Sequence, residues 1–233
     1  MNIYFIGDTH GEIDISKVQN MDFEENSIII QLGDFGCMWT GGSEDVNCYY
    51  KWINKLKDKN IELFIIPGNH ENYNLIMNLP IIKRNDNIKG EFWYKEIDGF
   101  RFHFIKHPEM FVKNKRFLCI RGAESVDKFN RKENINWWRQ ELLSKKEEET
   151  ILNIIKKDNK FDYILSHTCP KFLINEYLPD NINFVKLSDP VSKFMNNISD
   201  KLKFNFWIFG HFHIDKRYDS YICLYDYIIK LKI

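Results

Sequence analysis

Residues 2–10 read Asn2-Ile3-Tyr4-Phe5-Ile6-Gly7-Asp8-Thr9-His10, an apolar run that stops at a carboxylate and an imidazole two positions apart. The same grammar recurs along the chain. Residues 27–32 lead into Gly33-Asp34, residues 61–66 towards Gly68-Asn69-His70-Glu71, residues 161–165 into Ser166-His167, and residues 204–209 into Gly210-His211-Phe212-His213. Each run is five or six residues long and rich in β-branched or aromatic side chains. Short continuous apolar stretches of this kind fit strands covered on both faces, whereas a buried helix needs roughly ten or more residues.

Helical patterns lie between the runs. Ser43 is placed to cap a helix whose apolar face carries Val46, Tyr49, Tyr50, Ile53 and Leu56. Ser144 with Glu147 has the form of a capping box ahead of Ile151, Ile154 and Ile155. Asp189-Pro190 reads as an N-cap with proline at the first helical position, followed by a stripe of Val191, Phe194, Met195, Ile198 and Leu202. Residues 91–104 alternate around Asp98-Gly99 as a tight hairpin does, and the tail from Tyr218 to Ile233 reads as two more strands. Strands alternating with helices predict an α/β sheet, and ligands of such sheets bind beyond the carboxyl ends of the strands. All five polar motifs fall at those ends.

Composition narrows the function. The chain has 233 residues and 44% hydrophobic content, enough for one large core, and no repeat or Pro/Gly-rich linker divides it. A single domain over residues 1–233 is expected. Lys+Arg and Asp+Glu both total 33, so no global positive field exists to hold long nucleic acid, although Lys113, Lys115 and Arg116 form a local cluster. The five cysteines, at 37, 48, 119, 169 and 223, are odd in number and lack CxxC spacing, which predicts reduced thiols. Cys37, close to Asp34, is the one to watch for oxidation. The sequence shows no long apolar span and no leader pattern, so a cytoplasmic location without membrane contact is expected. Nothing in it fixes an oligomeric state.

The strand ends gather two carboxylates, one amide and five of the seven histidines. Positions i and i+2 of a strand share a face, which would let Asp8 act with His10 and His211 with His213. Gly33 would allow a tight turn that aims Asp34 inward. Nitrogen and oxygen donors without thiolate suit Mn, Fe, Zn or Co rather than Ca or a soft metal. Two such cations about 3.5–4 Å apart generate hydroxide at neutral pH and clamp phosphoryl oxygens.

Asp-x-His, Gly-Asp, Gly-Asn-His-Glu, a lone His and Gly-His-x-His, in that order from Asp8 to His213, resemble the calcineurin-like metallophosphoesterase superfamily. That resemblance implies a four-layer α/β/β/α sandwich with mixed sheets. It also implies two divalent transition-metal ions, manganese foremost, and hydrolysis of a phosphate ester through a metal-bridging hydroxide. By the resemblance, Asp8, His10, Asp34 and His213 hold the first metal. Asp34, Asn69, His167 and His211 hold the second, with Asp34 between them and taking part in catalysis. His70 faces the substrate as a catalytic group, and an acidic neighbour, Glu71 rather than Asp45, orients it.

The chain departs from the protein Ser/Thr phosphatases of that superfamily. Their Gly-Asp-x-x-Asp-Arg-Gly is replaced here by Gly33-Asp34-Phe35-Gly36-Cys37-Met38-Trp39, without the second acid or the arginine. A phosphodiester of nucleotide type is therefore favoured, with a phosphomonoester or phosphoprotein as the alternative. A scaffold that merely kept the fold would have lost ligands, and a nuclease working with a partner subunit would call for a more basic chain. The stretch Arg121-Gly122-Ala123-Glu124-Ser125-Val126-Asp127, with Arg131 and Trp137-Trp138, resembles small bacterial and phage-borne phosphoesterases. Arg121 and Arg131 are candidates for phosphate contact, since a guanidinium matches phosphate oxygens bidentately. The paired tryptophans read either as a base platform or as one buried ring and one lid. His103 and His107 lie outside every motif and read as surface or core histidines.

Overall fold

The computed structural model describes residues 1–174 and 189–233. In chain order the strands are β1 (Asn2–Ile6), β2 (Ile28–Gln31), β3 (Glu62–Ile65), β4 (Ile81–Asn85), β5 (Ile88–Ile97), β6 (Phe100–Ile105), β7 (Glu109–Val112), β8 (Lys115–Ile120), β9 (Tyr163–Ser166), β10 (Phe206–Phe209), β11 (Lys216–Tyr218), β12 (Tyr221–Cys223) and β13 (Ile228–Lys232). Among the described residues the α-helices are α1 (Ser16–Asn20), α2 (Ser43–Leu56), α3 (Tyr73–Met77), α4 (Lys145–Lys157) and α5 (Pro190–Ser199).

All the strands join one large curled sheet of order β11-β12-β10-β9-β8-β7-β5-β6-β3-β2-β1-β13, with β4 paired to β5. It contains two parallel blocks. In one, β1, β2, β3 and β6 run together; in the other, β8, β9, β10 and β12 do. Antiparallel β5 and β7 join the blocks. The fold is mixed α/β, as the alternation of strands and helices predicts.

The alternating sides of each strand enter different cores. Tyr4, Ile6, Ile29, Leu63 and Ile65 pack with Val18, Tyr49 and Trp52 from α1 and α2. Leu118, Ile120, Ile164, Trp207 and Phe209 pack with Ile151 and Ile154 of α4 and Phe194, Met195 and Ile198 of α5. The opposite sides, Ile3, Phe5, Ile28, Ile30, Phe64, Phe117, Leu165 and Ile208, share a third core. Burial on both faces explains why these strands read as unbroken apolar runs. His103 of β6 belongs to the interior, stacked on Phe64 with ring centroids 4.8 Å apart, so it is a core histidine.

The Ser144–Glu147 capping box, the Asp189 cap and the Asp98-Gly99 hairpin form as expected; Asp98 and Gly99 take φ values of 49° and 75°. Helix α2 differs. Gly42, not Ser43, precedes its first turn without a side-chain cap, and the buried face is Asp45, Cys48, Tyr49, Trp52, Ile53 and Leu56. Val46 and Tyr50 face solvent. The rotation follows from Asp45, whose carboxylate accepts the backbone N–H groups of Trp39, Thr40 and Gly41 and so must face the loop.

Strands β4, β7, β8 and β11 have no counterpart among the strands read from the sequence. Charges obscured β7 and β8: Lys115 pairs with Asp162, and Arg116 pairs with Glu109 and Asp158. Two of the three charges of the basic cluster at 113–116 are thereby paired with carboxylates. The cysteine expectation also needs correction, because Cys37 and Cys48 form a disulfide, their Cα atoms 5.4 Å apart. The loop after Asp34 folds back onto α2, a proximity that a separation of 11 residues does not reveal. Cys119, Cys169 and Cys223 are free and buried. Among the described residues no helix is long and apolar enough to cross a membrane.

Candidate metal centre

The parallel blocks bring the carboxyl ends of β1, β2, β3, β9 and β10 together, and each sequence motif follows one of those ends. Backbone bonds stitch the loops. The N–H groups of Thr9 and His10 donate to the Asp34 carbonyl at 3.0 and 2.8 Å, and Gly11 donates to Phe35 at 2.9 Å. The buried Gln31 side chain ties the same two ends, reaching the Gly7 and Gly33 carbonyls and accepting the Gly33 N–H.

Glycines leave room for the convergence. A Cβ at Gly33 would collide with the His167 ring, and one at Gly68 would collide with the Asp34 carboxylate. Gly33 also sits at φ 97°, a conformation that costs glycine little. Four non-glycine residues at the site share the left-handed region: His10 (41°), Asp34 (52°), His211 (72°) and His213 (52°). Such backbone persists where surrounding bonds over-determine it.

Three groups of potential ligands result: Asp8, His10 and His213; His10, Asp34 and His70; and Asp34, His167 and His211, with ligand atoms within 4.8 Å of one another in each. His211 and His213 therefore serve different groups, contrary to the shared-face expectation. Strand β10 ends at Phe209, and the left-handed turns at both histidines swing their rings apart. Asp8 and His10 do meet, but through the left-handed His10 rather than through strand pleating.

Asp34 lies at the centre. Its Oδ2 is 3.3 Å from His10 Nε2, and its Oδ1 is 3.2 Å from His167 Nε2. The His70 backbone N–H donates to Oδ1 at 2.8 Å. Asp8 faces His213 Nε2 at 3.2 Å and accepts the His211 N–H at 2.9 Å. Asn69 Oδ1 is 2.9 Å from His167 Nε2.

The rings are oriented from behind. His167 Nδ1 donates to the Leu32 carbonyl at 2.8 Å, and His10 Nδ1 pairs with Asp14 Oδ2 at 2.6 Å. Each Nε2 is then directed among oxygen acceptors, an arrangement that needs positive charge at that point. Without a cation, a second ring proton supplies that charge. Burial opposes protonation, but the Asp34 charge and bond outweigh it and push His10 up to about 9 and His167 to about 10. Burial likewise opposes ionisation of Asp34, yet the His167 and His70 charges hold its carboxyl well below the ordinary range. Asp8 follows the same pattern, with the His213 bond prevailing over burial. Nitrogen and oxygen donors converging on shared points suit a divalent transition metal.

His70 differs from these histidines. Burial, reinforced by the Arg131 charge, lowers its pKa. Its ring stacks against Trp39 and sits 3.5 Å from Arg131 Nη2. Asp127 holds Arg131 through a 2.8 Å bond to its Nε. Glu71 does not meet the His70 ring; its carboxylate accepts the N–H groups of Gly36 and Gly68, and Asp45 holds the loop after Met38. Arg121 is turned away from this centre, bound to Glu147 and the Gln140 carbonyl beneath the protein surface. Its candidacy as a phosphate contact falls on that internal pairing. Trp138 is buried, and Trp137 is half-buried with its Nε1–H donated to Glu141.

Sequence reasoning missed Asp14, Gln31, Ser125, Glu141 and the Leu32 carbonyl. Only Asp14 carried a local signal, four positions after His10.

No curated protein matches the chain in sequence. Among solved structures, phosphopantetheinyl hydrolase from Mycobacterium tuberculosis aligns with a TM-score of 0.47 and 11% identity, over 96% of this chain and 88% of that one. Residues 1–215 match the family model described as calcineurin-like phosphoesterase. The histidine–aspartate cluster lies within that match, and the chain belongs to the calcineurin-like phosphoesterases, metal-dependent hydrolases of phosphate esters.

Proposed function

We propose that this protein is a dinuclear phosphodiesterase. Asp8, His10, Asp34 and His213 would hold one divalent cation, manganese foremost, and Asp34, Asn69, His167 and His211 a second. The observation that carries the reading is the split of Asp34, one oxygen facing His10 and the other facing His167. A carboxylate that gave one oxygen to each of two cations would be placed in this way. When bound, such a cation pair supplies activated water at neutral pH and charge stabilisation for phosphoryl oxygens.

The remaining side chains fit a diester. Arg131 stands next to His70, where a guanidinium can meet one phosphoryl oxygen. His70, whose pKa burial lowers, is placed to exchange a proton with the leaving oxygen. Beyond His10 and His70 a groove of about 410 Å³ continues past Gly11, Ile13 and Trp39, with Glu12, Glu44 and Asp45 along it. Among the described residues no lysine or arginine lines that groove. It offers room for a second ester group, one without a further phosphate. The three separate cores also support stacking of the sheet and its helices as four α/β/β/α layers.

The test is hydrolysis by manganese-loaded protein of bis(p-nitrophenyl) phosphate against p-nitrophenyl phosphate. Faster turnover of the diester is expected. A clear monoester preference would overturn the diester assignment, and fewer than two cations per chain would overturn the dinuclear one.

A further inference from the structure

The segment between β8 and α4 buries Arg121, Glu124, Ser125 and Glu141, none of them part of the ligand set, and the last two are tied to a ligand. Ser125 is 0% exposed and Glu141 1%. The Glu141 carboxylate accepts the Ser125 N–H at 2.8 Å, the Ser125 hydroxyl at 2.7 Å and the Trp137 Nε1–H at 2.8 Å. Ser125 Oγ in turn accepts from Asn69 Nδ2 at 3.3 Å.

The order of donors has a consequence. A serine hydroxyl has one proton, and the Glu141 carboxylate accepts it in a hydrogen bond; burial raises the Glu141 pKa to about 7, so this order of donors belongs to the ionised form above that pH. Only lone pairs are left to face Asn69, so the amide must turn its NH2 towards Ser125. Its oxygen then points the other way, to His167 Nε2 and the Asp34 side of the centre. A flipped amide would oppose oxygen lone pairs at Ser125 and present N–H groups where a cation belongs. Burial of all three residues removes water as an alternative partner.

We infer that Ser125 and Glu141 are positioning residues that fix the Asn69 amide with its oxygen towards the second cation, and so set the affinity of one metal position and not the other. The inference rests on the ligand assignment proposed above. It also gives the segment after Arg121 a role distinct from phosphate contact: it orients a metal ligand from behind.

Calorimetric titration of the metal-free full-length protein with Mn2+, paired with electron paramagnetic resonance of the dinuclear signal, tests it. Ser125→Ala should weaken one binding step about 10- to 100-fold, the usual effect of losing a partner behind a metal ligand. The other step should keep its wild-type affinity, which general loosening of the fold would not allow. Glu141→Gln is the sharper variant, because a glutamine can offer N–H to Ser125 Oγ. The serine proton is then released towards Asn69 and favours the flipped amide. Glu141→Gln should therefore lose the same step, and adding Asn69→Asp should restore it, since a carboxylate has an oxygen at each end. Asn69→Asp alone should gain less than it does beside Glu141→Gln.

Wild-type affinity for both cations in Ser125→Ala and Glu141→Gln, equal loss at both positions, or additive effects of Glu141→Gln and Asn69→Asp would overturn the inference. A wild-type protein that takes up no second cation would remove the ligand assignment itself, and the inference with it.

Discussion

Asp14 offers the most direct measure of how the chain's own residues tune the centre. Its Oδ2 lies 2.6 Å from His10 Nδ1, and its Oδ1 accepts the Tyr225 hydroxyl at 2.9 Å. Both side chains of the His10–Asp14 pair are mostly covered, at 12% and 18% exposure, so solvent screens the bond only in part. A hydrogen bond to a charged group contributes about 1.5–3 kcal/mol. Loss of a partner behind a metal-ligating histidine costs about 10- to 100-fold in affinity, or about 1.4–2.7 kcal/mol. The two ranges agree. Asp14→Ala removes the whole interaction and should weaken binding of the cation proposed for Asp8, His10 and His213 by nearly 100-fold. Asp14→Asn keeps one oxygen for His10 Nδ1 and should lose about 10-fold. The cation on the Asn69 and His167 side should bind as in the wild type, because His167 is oriented by the Leu32 carbonyl instead. Two-step calorimetry with Mn2+ resolves the positions. Unchanged affinity in Asp14→Ala, or an equal fall in both steps, would refute the reasoning.

Asp34→Asn should abolish turnover and lower the affinity of both cations, since each Asp34 oxygen faces a different histidine; metal analysis after desalting reads the loss. His70→Ala should retain both cations and fold normally while kcat falls about 10²- to 10⁴-fold, the range for losing a positioned acid–base group. Normal turnover in that variant would remove His70 from the mechanism. Stability should fall in mild acid because of His103. Burial pushes its pKa from 6.5 down to about 4, so between those values the unfolded chain takes up a proton that the native core refuses. Stability is then full above pH 6.5 and declines towards pH 4, by roughly 3 kcal/mol in all. Urea denaturation of wild type and His103→Phe at pH 7 and pH 5 measures the difference, and an equal acid loss in both would exclude His103 as its source.

The sequence by itself determined which strands lead to the site and which residues arrive there. Runs such as residues 28–30 and 206–209 are legible because successive side chains enter apolar cores on both faces of the sheet, so no polar alternation appears. The capping box at Ser144 and the turn at Asp98-Gly99 are equally local, set by contacts a few residues apart. The polar motifs could be read because ordered, chemically specific residues follow each run. Tertiary structure decided the rest. The face of α2 turned on Asp45 binding a loop, the pairing of Cys37 with Cys48 on that loop's return, and the parting of His211 from His213 on two left-handed residues. Arg121 and Arg131 look alike in the sequence, yet one closes an internal ion pair with Glu147 and the other reaches His70. Ser125 lies in the stretch that follows Arg121, and Glu141 in no motif, but neither position points to Asn69 in the sequence. Their bearing on Asn69 exists only because segments 56 and 72 positions away fold against it, and hydrogen bonds at that separation have no pattern along the chain.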